Sequence, residues 1–136
     1  MKPSEVMFKN GSHGPAQGRT SYSAFLNVTD NPVIHCLVER AANVTHTPPD
    51  SREALQVVRY YPGQSYDPHY DYSPRESMMN NPYALAVGPR SATFLVYLND
   101  EKDGLNGGET EFSKLKLDVV PKKNSACKLC CALLTC

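Results

Sequence analysis

The sharpest chemistry in the sequence lies in His69-Tyr70-Asp71. In an extended segment, residues two apart point the same way, so one imidazole nitrogen and one carboxylate oxygen can converge on a point. Non-haem iron(II) sites use two His and one carboxylate on one face, leaving positions open for cosubstrate and oxygen. A lone His-x-Asp triplet is also a common surface pair, and spacing alone does not separate the two. A second set of metal-capable residues is Cys127, Cys130, Cys131 and Cys136. Zinc sites usually draw pairs of ligands from separated segments. Four thiols this close together read better as a Cys-rich strand or tail, open to oxidation. His13, His35 and His46 have no partner motif.

The elements that must position these residues are short. Asp30-Asn31-Pro32 is a helix start, and Ile34, Leu37, Val38, Ala41 and Ala42 repeat at helical spacing up to about His46, before Pro48-Pro49. The period then changes to two. Residues 55–61 read as a strand ending at Pro62-Gly63, and Ser65 to Tyr72 as a second, aromatic strand carrying the triplet. Thr93 to Leu98 is apolar on both faces and suits a central strand. Residues 115–119 alternate before Pro121, and Arg19 to Leu26 is a further short strand. The expected organisation is a polar lead-in over 1–18, a domain over 19–126 and a Cys-rich tail over 127–136, with one helix flanking a mainly β architecture (α+β).

The chain has 136 residues, which allows one compact domain. Its formal net charge of +0 lacks the basic surplus that nucleic acid or an anionic membrane rewards. No apolar run is long enough to insert in a bilayer. Met1 to Val6 lacks the apolar stretch of a signal peptide. Three N-glycosylation patterns occur, at Asn10, Asn27 and Asn43.

Beyond the triplet, several ordered motifs agree. The run from Gln56 to Tyr72, with Tyr60, Gly63-Gln64, Tyr66 and Pro68-His69-Tyr70-Asp71-Tyr72, resembles the metal-binding core of prolyl 4-hydroxylases, which are Fe(II)/2-oxoglutarate-dependent dioxygenases. Arg19-Thr20-Ser21, Arg90 with the strand ending Tyr97-Leu98, Gly107-Gly108-Glu109-Thr110 and Val120-Pro121-Lys122-Lys123 resemble further family motifs in the same order. The resemblance covers residues 19 to about 126. It implies a double-stranded β-helix, or jelly-roll. It also implies that His69 and Asp71 bind iron, that Tyr60 and Thr110 bind 2-oxoglutarate, and that Tyr66 and Arg90 face a peptide substrate. Each has a plainer reading: Tyr60 as core, Thr110 as a turn cap, Tyr66 as an exposed aromatic beside Pro68, Arg90 as a solvated loop charge.

The implied reaction is hydroxylation of a peptidyl proline, with Fe(II), 2-oxoglutarate as cosubstrate, and ascorbate to keep the iron reduced. The implied partner is a proline-containing peptide or protein; oligomeric state stays open. Relatives often work in the endoplasmic reticulum lumen, but this sequence carries no entry signal, and read literally the chain stays in the cytosol; the compartment is left open. The sequence also departs from the family. The family's second iron-binding His follows the Asp by tens of residues, with a basic residue after it, and no His follows His69 here. Asn124 stands where the family usually has Gly. These departures predict a jelly-roll incomplete at its C-terminal end and a truncated chain that is weakly active or inactive. The alternative expectation is a catalytically dead remnant acting as a peptide- or partner-binding module.

Overall fold

The structure is a computed structural model that describes residues 1–7, 12–15, 17–27, 29, 31–72 and 88–131. Among the described residues it is mainly β with one α-helix. In chain order come β1 (Lys2–Pro3), β2 (Val6–Met7), β3 (His13–Gly14), β4 (Tyr22–Leu26), α1 (Pro32–Thr45), β5 (Leu55–Arg59), β6 (Ala92–Val96), β7 (Thr110–Phe112), β8 (Leu117–Val119) and β9 (Ala126–Cys130). All the pairings are antiparallel: β1-β4-β5 form a three-stranded sheet, while β2-β3, β6-β9 and β7-β8 form two-stranded ribbons.

The helix begins where the side chain of Asn31 can accept the Val33 N–H, at 2.8 Å, with Pro32 in the first turn. It ends at His46, which turns left-handed at φ 56°. Val38 is the one residue of α1 buried outright, 5% exposed, while Val33 and Val44 face solvent. The helix approaches β6. Buried apolar side chains are few among the described residues: Val38 and Tyr97 alone form the hydrophobic core.

The amino-terminal segment is more than a polar loop. Ser4 is 1% exposed, and its N–H donates to Ser21 O at 2.9 Å while the Ser21 hydroxyl donates to Ser4 Oγ at 3.0 Å. Small hydroxyl side chains that satisfy each other can be buried without the usual penalty. Residues 1–18 thereby contribute an edge strand, β1, to the β4-β5 pair.

The expected strand over Ser65 to Tyr72 does not form. Pro62-Gly63 makes a tight turn with Gly63 at φ +80°, the Gln64 N–H donates to Tyr61 O at 3.0 Å, and Tyr66 makes only an isolated bridge to Arg19. Pro68 has no N–H to continue a ladder, and the chain bends there. Four other strands are shorter than expected: β4 begins at Tyr22 rather than Arg19, and β6 stops at Val96 rather than Leu98. β5 stops at Arg59, and β8 begins only at Leu117, because Lys116 sits in a turn at φ 51°.

The β6-β9 ribbon pairs Ala92 with Cys130 through Val96 with Ala126. β9 crosses residues 126 and 127, where the sequence reading divides domain from tail. Asn124, standing where the family usually has Gly, occupies a left-handed position at φ 66°, which Asn tolerates better than most residues.

Candidate metal centre

The triplet stands on the bend after Tyr66, and the bend brings its two donors together. His69 Nε2 lies 3.2 Å from Asp71 Oδ1. Two donors on adjacent octahedral positions, each about 2.1 Å from an ion, stand about 3 Å apart, so this pair fits two neighbouring positions on one metal. The other imidazole nitrogen, Nδ1, is 2.7 Å from Asp67 O. A backbone carbonyl accepts only from N–H, so the proton is placed on Nδ1 and the Nε2 lone pair is left for a ligand role. The Tyr66 ring stacks on His69 with centroids 3.8 Å apart and planes 22° apart.

Asp71 is held from three sides. Thr93, on β6, donates its hydroxyl to Oδ2 at 2.5 Å, His69 meets Oδ1, and Arg90 NH1 stands 3.6 Å from Oδ1. Arg90 is committed elsewhere: Nε and NH2 donate to the two carboxylate oxygens of Glu53, at 2.7 and 2.8 Å. The hydrogen bonds that Arg90 donates to Glu53, with the nearby negative charges, push its guanidinium above its ordinary value against the opposing effect of burial. Burial also raises the Tyr66 hydroxyl; Arg19 and Arg90 oppose this, while Asp71 and Tyr60 add to it.

The expected site residues are thus partly gathered. His69, Asp71, Tyr66 and Arg90 form one cluster. Tyr60 stands just past β5, 45% exposed, so it is not a core residue. Thr110 is half-buried on β7, and its hydroxyl meets Tyr97 Oη at 2.8 Å rather than the His69–Asp71 group. Glu53 and Thr93 are members that the sequence reading missed. Thr93 carried a signal, as the one aliphatic hydroxyl in an otherwise apolar and aromatic run; Glu53 carried none.

Among the described residues, no third His, Cys, Asp or Glu completes a metal-holding group with His69 and Asp71. Nor do the described cysteines make a zinc site. Cys130 is disulfide-bonded, and Cys127 and Cys131 lie four residues apart along an extended segment, about 13 Å. Cys131 sits beside the centre, its sulfur 3.7 Å from Thr93 Oγ1, and burial pushes its thiol up. His35 is an exposed partner of Glu39, at 4.0 Å.

Comparison with known proteins extends this picture beyond the centre. Residues 55–132 match the family described as the 2OG-Fe(II) oxygenase superfamily. The chain is 38% identical over 112 residues to probable prolyl 4-hydroxylase 3 of Arabidopsis thaliana, covering 82% of this chain and 36% of that protein. It is 35% identical over 130 residues to prolyl 4-hydroxylase 5 of Arabidopsis thaliana, covering 94% and 42%. It is 36% identical over 108 residues to prolyl 4-hydroxylase subunit alpha-1 of Bos taurus, covering 79% and 20%. The chain therefore spans less than half the length of each of these relatives.

Proposed function

This chain belongs to the 2OG-Fe(II) oxygenase superfamily, and from that premise we propose that it is a prolyl 4-hydroxylase-like dioxygenase segment in which His69 and Asp71 supply two adjacent iron donors. The observation that carries this is the 3.2 Å approach of His69 Nε2 to Asp71 Oδ1, with Nδ1 already engaged by Asp67 O. Membership implies Fe(II) and 2-oxoglutarate. When bound, the iron and cosubstrate activate oxygen for insertion into a C–H bond, the substrate class proposed here being a peptidyl proline. Ascorbate is proposed as the reductant that keeps the iron usable. The proposed fold is a double-stranded β-helix.

This chain's own residues divide the work. The Asp67 carbonyl fixes the imidazole tautomer, and the Thr93 hydroxyl fixes the carboxylate. Glu53 holds the Arg90 guanidinium beside Asp71, where it limits the negative charge that a metal must share. Tyr60, which follows β5, is assigned to the 2-oxoglutarate, with Thr110 as its second contact. Tyr66 and Arg90 are assigned to the peptide, next to the donors.

A second reading is favoured by the donor count. With two donors among the described residues, water competes for the remaining positions, and the exposed Tyr60, Tyr61 and Tyr70 would then bind peptide without turnover. Titration with Mn(II), followed by water-proton relaxation, tests the metal assignment. His69→Ala and Asp71→Ala are each expected to abolish the specific binding; binding retained in both variants overturns it. Succinate release with Fe(II), 2-oxoglutarate and a proline-rich peptide separates the enzyme from the binding module.

A further inference from the structure

The segment Gly18–Thr20 lies against Ser65–Asp67, at the start of the bend that carries the metal pair. The Asp67 N–H donates to Gly18 O at 2.8 Å, the Thr20 N–H to Ser65 O at 3.1 Å, and the Ser65 N–H to the Thr20 hydroxyl at 2.9 Å. A Cβ at Gly18 would stand 2.6 Å from Asp67 Oδ2, so the Asp67 side chain would have to shift to accept one. Arg19 and Tyr66 form the bridge between the two segments.

The Arg19 side chain is itself anchored. NH1 donates to Glu5 O at 2.9 Å, and NH2 to Gln56 Oε1 at 3.2 Å. The guanidinium carbon lies 4.8 Å from the Tyr66 ring centroid, within cation–π range. Arg19 Nε is buried without a hydrogen-bond partner, a cost accepted at a well-packed position rather than a solvated one. The Tyr66 ring in turn lies nearly parallel to the His69 imidazole. A contiguous path therefore runs from the amino-terminal segment to a metal donor that Arg19 itself does not touch.

We propose that Arg19 is a positioning residue for the metal-binding imidazole: it holds Tyr66 flat against His69, so that Nε2 stays turned toward Asp71. The inference rests on the assignment of His69 and Asp71 as iron donors. The imidazole needs two constraints. The hydrogen bond to Asp67 O fixes one edge of the ring, and the stacked Tyr66 fixes its plane. Without the second, the ring rocks about a side-chain torsion whose energy well is broad. Lysine keeps the positive charge but lacks the planar fork that reaches Glu5 O and Gln56 together.

The test compares the wild-type chain with Arg19→Gln, Arg19→Lys and Tyr66→Leu. Ring-proton shifts of His69, displaced by the neighbouring Tyr66 ring current, report stacking directly. Mn(II) affinity reports the consequence. Arg19→Gln is expected to move the His69 ring protons toward their unstacked values and to weaken Mn(II) by about 10- to 100-fold, the usual effect of removing an outer support of a metal ligand. Arg19→Lys should fall between the two. Should Arg19→Gln not fold, Arg19→Lys carries the ring-shift test, and Tyr66→Leu, which leaves Arg19 anchored, is expected to give the same weakening of Mn(II). Unmoved His69 ring protons in a folded Arg19→Gln or Arg19→Lys, or unchanged Mn(II) affinity in Tyr66→Leu, overturn the proposal. A loss confined to peptide affinity, with ring shifts and Mn(II) affinity unchanged, also overturns it, in favour of direct substrate contact. If wild-type Mn(II) binding proves insensitive to His69→Ala, the iron assignment falls, and the ring shifts still decide the role of Arg19.

Discussion

Thr93→Val isolates the support given to the Asp71 carboxylate, proposed above as a metal donor. The two side chains share a shape, and both are β-branched, so β6 keeps its preference for a strand. What is lost is the 2.5 Å hydrogen bond to Asp71 Oδ2. A hydrogen bond to a charged group is worth about 1.5–3 kcal/mol. The Asp71 side chain is 21% exposed, so water recovers part of that and the lower end, about 1.5 kcal/mol, applies. In affinity this is about tenfold. The loss should appear in metal binding more than in folding, since Val gains apolar contact in the strand. Expected values are an Mn(II) dissociation constant raised about tenfold and an unfolding free energy changed by less than about 1 kcal/mol in urea. Thr93→Ser, which keeps the hydroxyl, should bind close to wild type. Equal Mn(II) affinity in Thr93→Val and wild type would refute the reasoning. So would a Thr93→Ser variant as weak as Thr93→Val, because the hydroxyl would then not be the group that matters.

Other perturbations give equally direct readings. Val38→Ala removes the most buried apolar side chain of α1 and should cost about 1.5–2.5 kcal/mol by urea denaturation. Glu53→Gln releases Arg90 toward Asp71 and should weaken Mn(II) binding several-fold, whereas Arg90→Gln should strengthen it; the same sign for both would exclude charge competition at Asp71. Iodoacetamide should label the exposed Cys36 before Cys131, because burial raises the Cys131 thiol and lowers its thiolate fraction at any given pH; mass spectrometry of the alkylated peptides follows the order. The Lys123 ammonium hydrogen-bonds Asp103 at 3.0 Å and lowers its carboxyl. A depressed carboxyl adds stability above its unfolded-state value and loses it as pH falls through the folded one. Lys123→Gln should therefore show its deficit at neutral pH and match wild type in acid, as measured by urea midpoints against pH.

Local chemistry made some of this architecture legible in the sequence. Asn31-Pro32 and the helical spacing up to His46 locate α1 because caps and periodicity are local properties. The alternating and apolar runs locate β5 and β6 for the same reason. The bend at Pro68 was misread as a strand: its aromatic composition suits a strand, but a missing N–H and a single bridge to Arg19 decide otherwise. The small strands before Tyr22 were missed because two-residue pairings leave no periodicity to read. Within the site, the approach of His69 to Asp71 was expected from strand spacing, but a bend rather than a strand brings them together. Glu53 and Thr93 were not expected, because their roles depend on which distant segments the fold brings to Asp71.

The β6-β9 ladder joins positions about 30–40 residues apart, and closing such a loop costs entropy before any contact repays it. Long-range pairings of this kind form late, after helices and tight hairpins such as β7-β8. Thr93 belongs to this ladder, so Asp71 acquires its hydroxyl partner only once the ladder has closed. A divalent ion held as proposed would then meet a finished carboxylate on the native side of the folding barrier and not before it. Metal should accordingly slow unfolding while leaving the folding rate unchanged. Iron supply would then set how long the folded chain persists against proteolysis, rather than how quickly it is made.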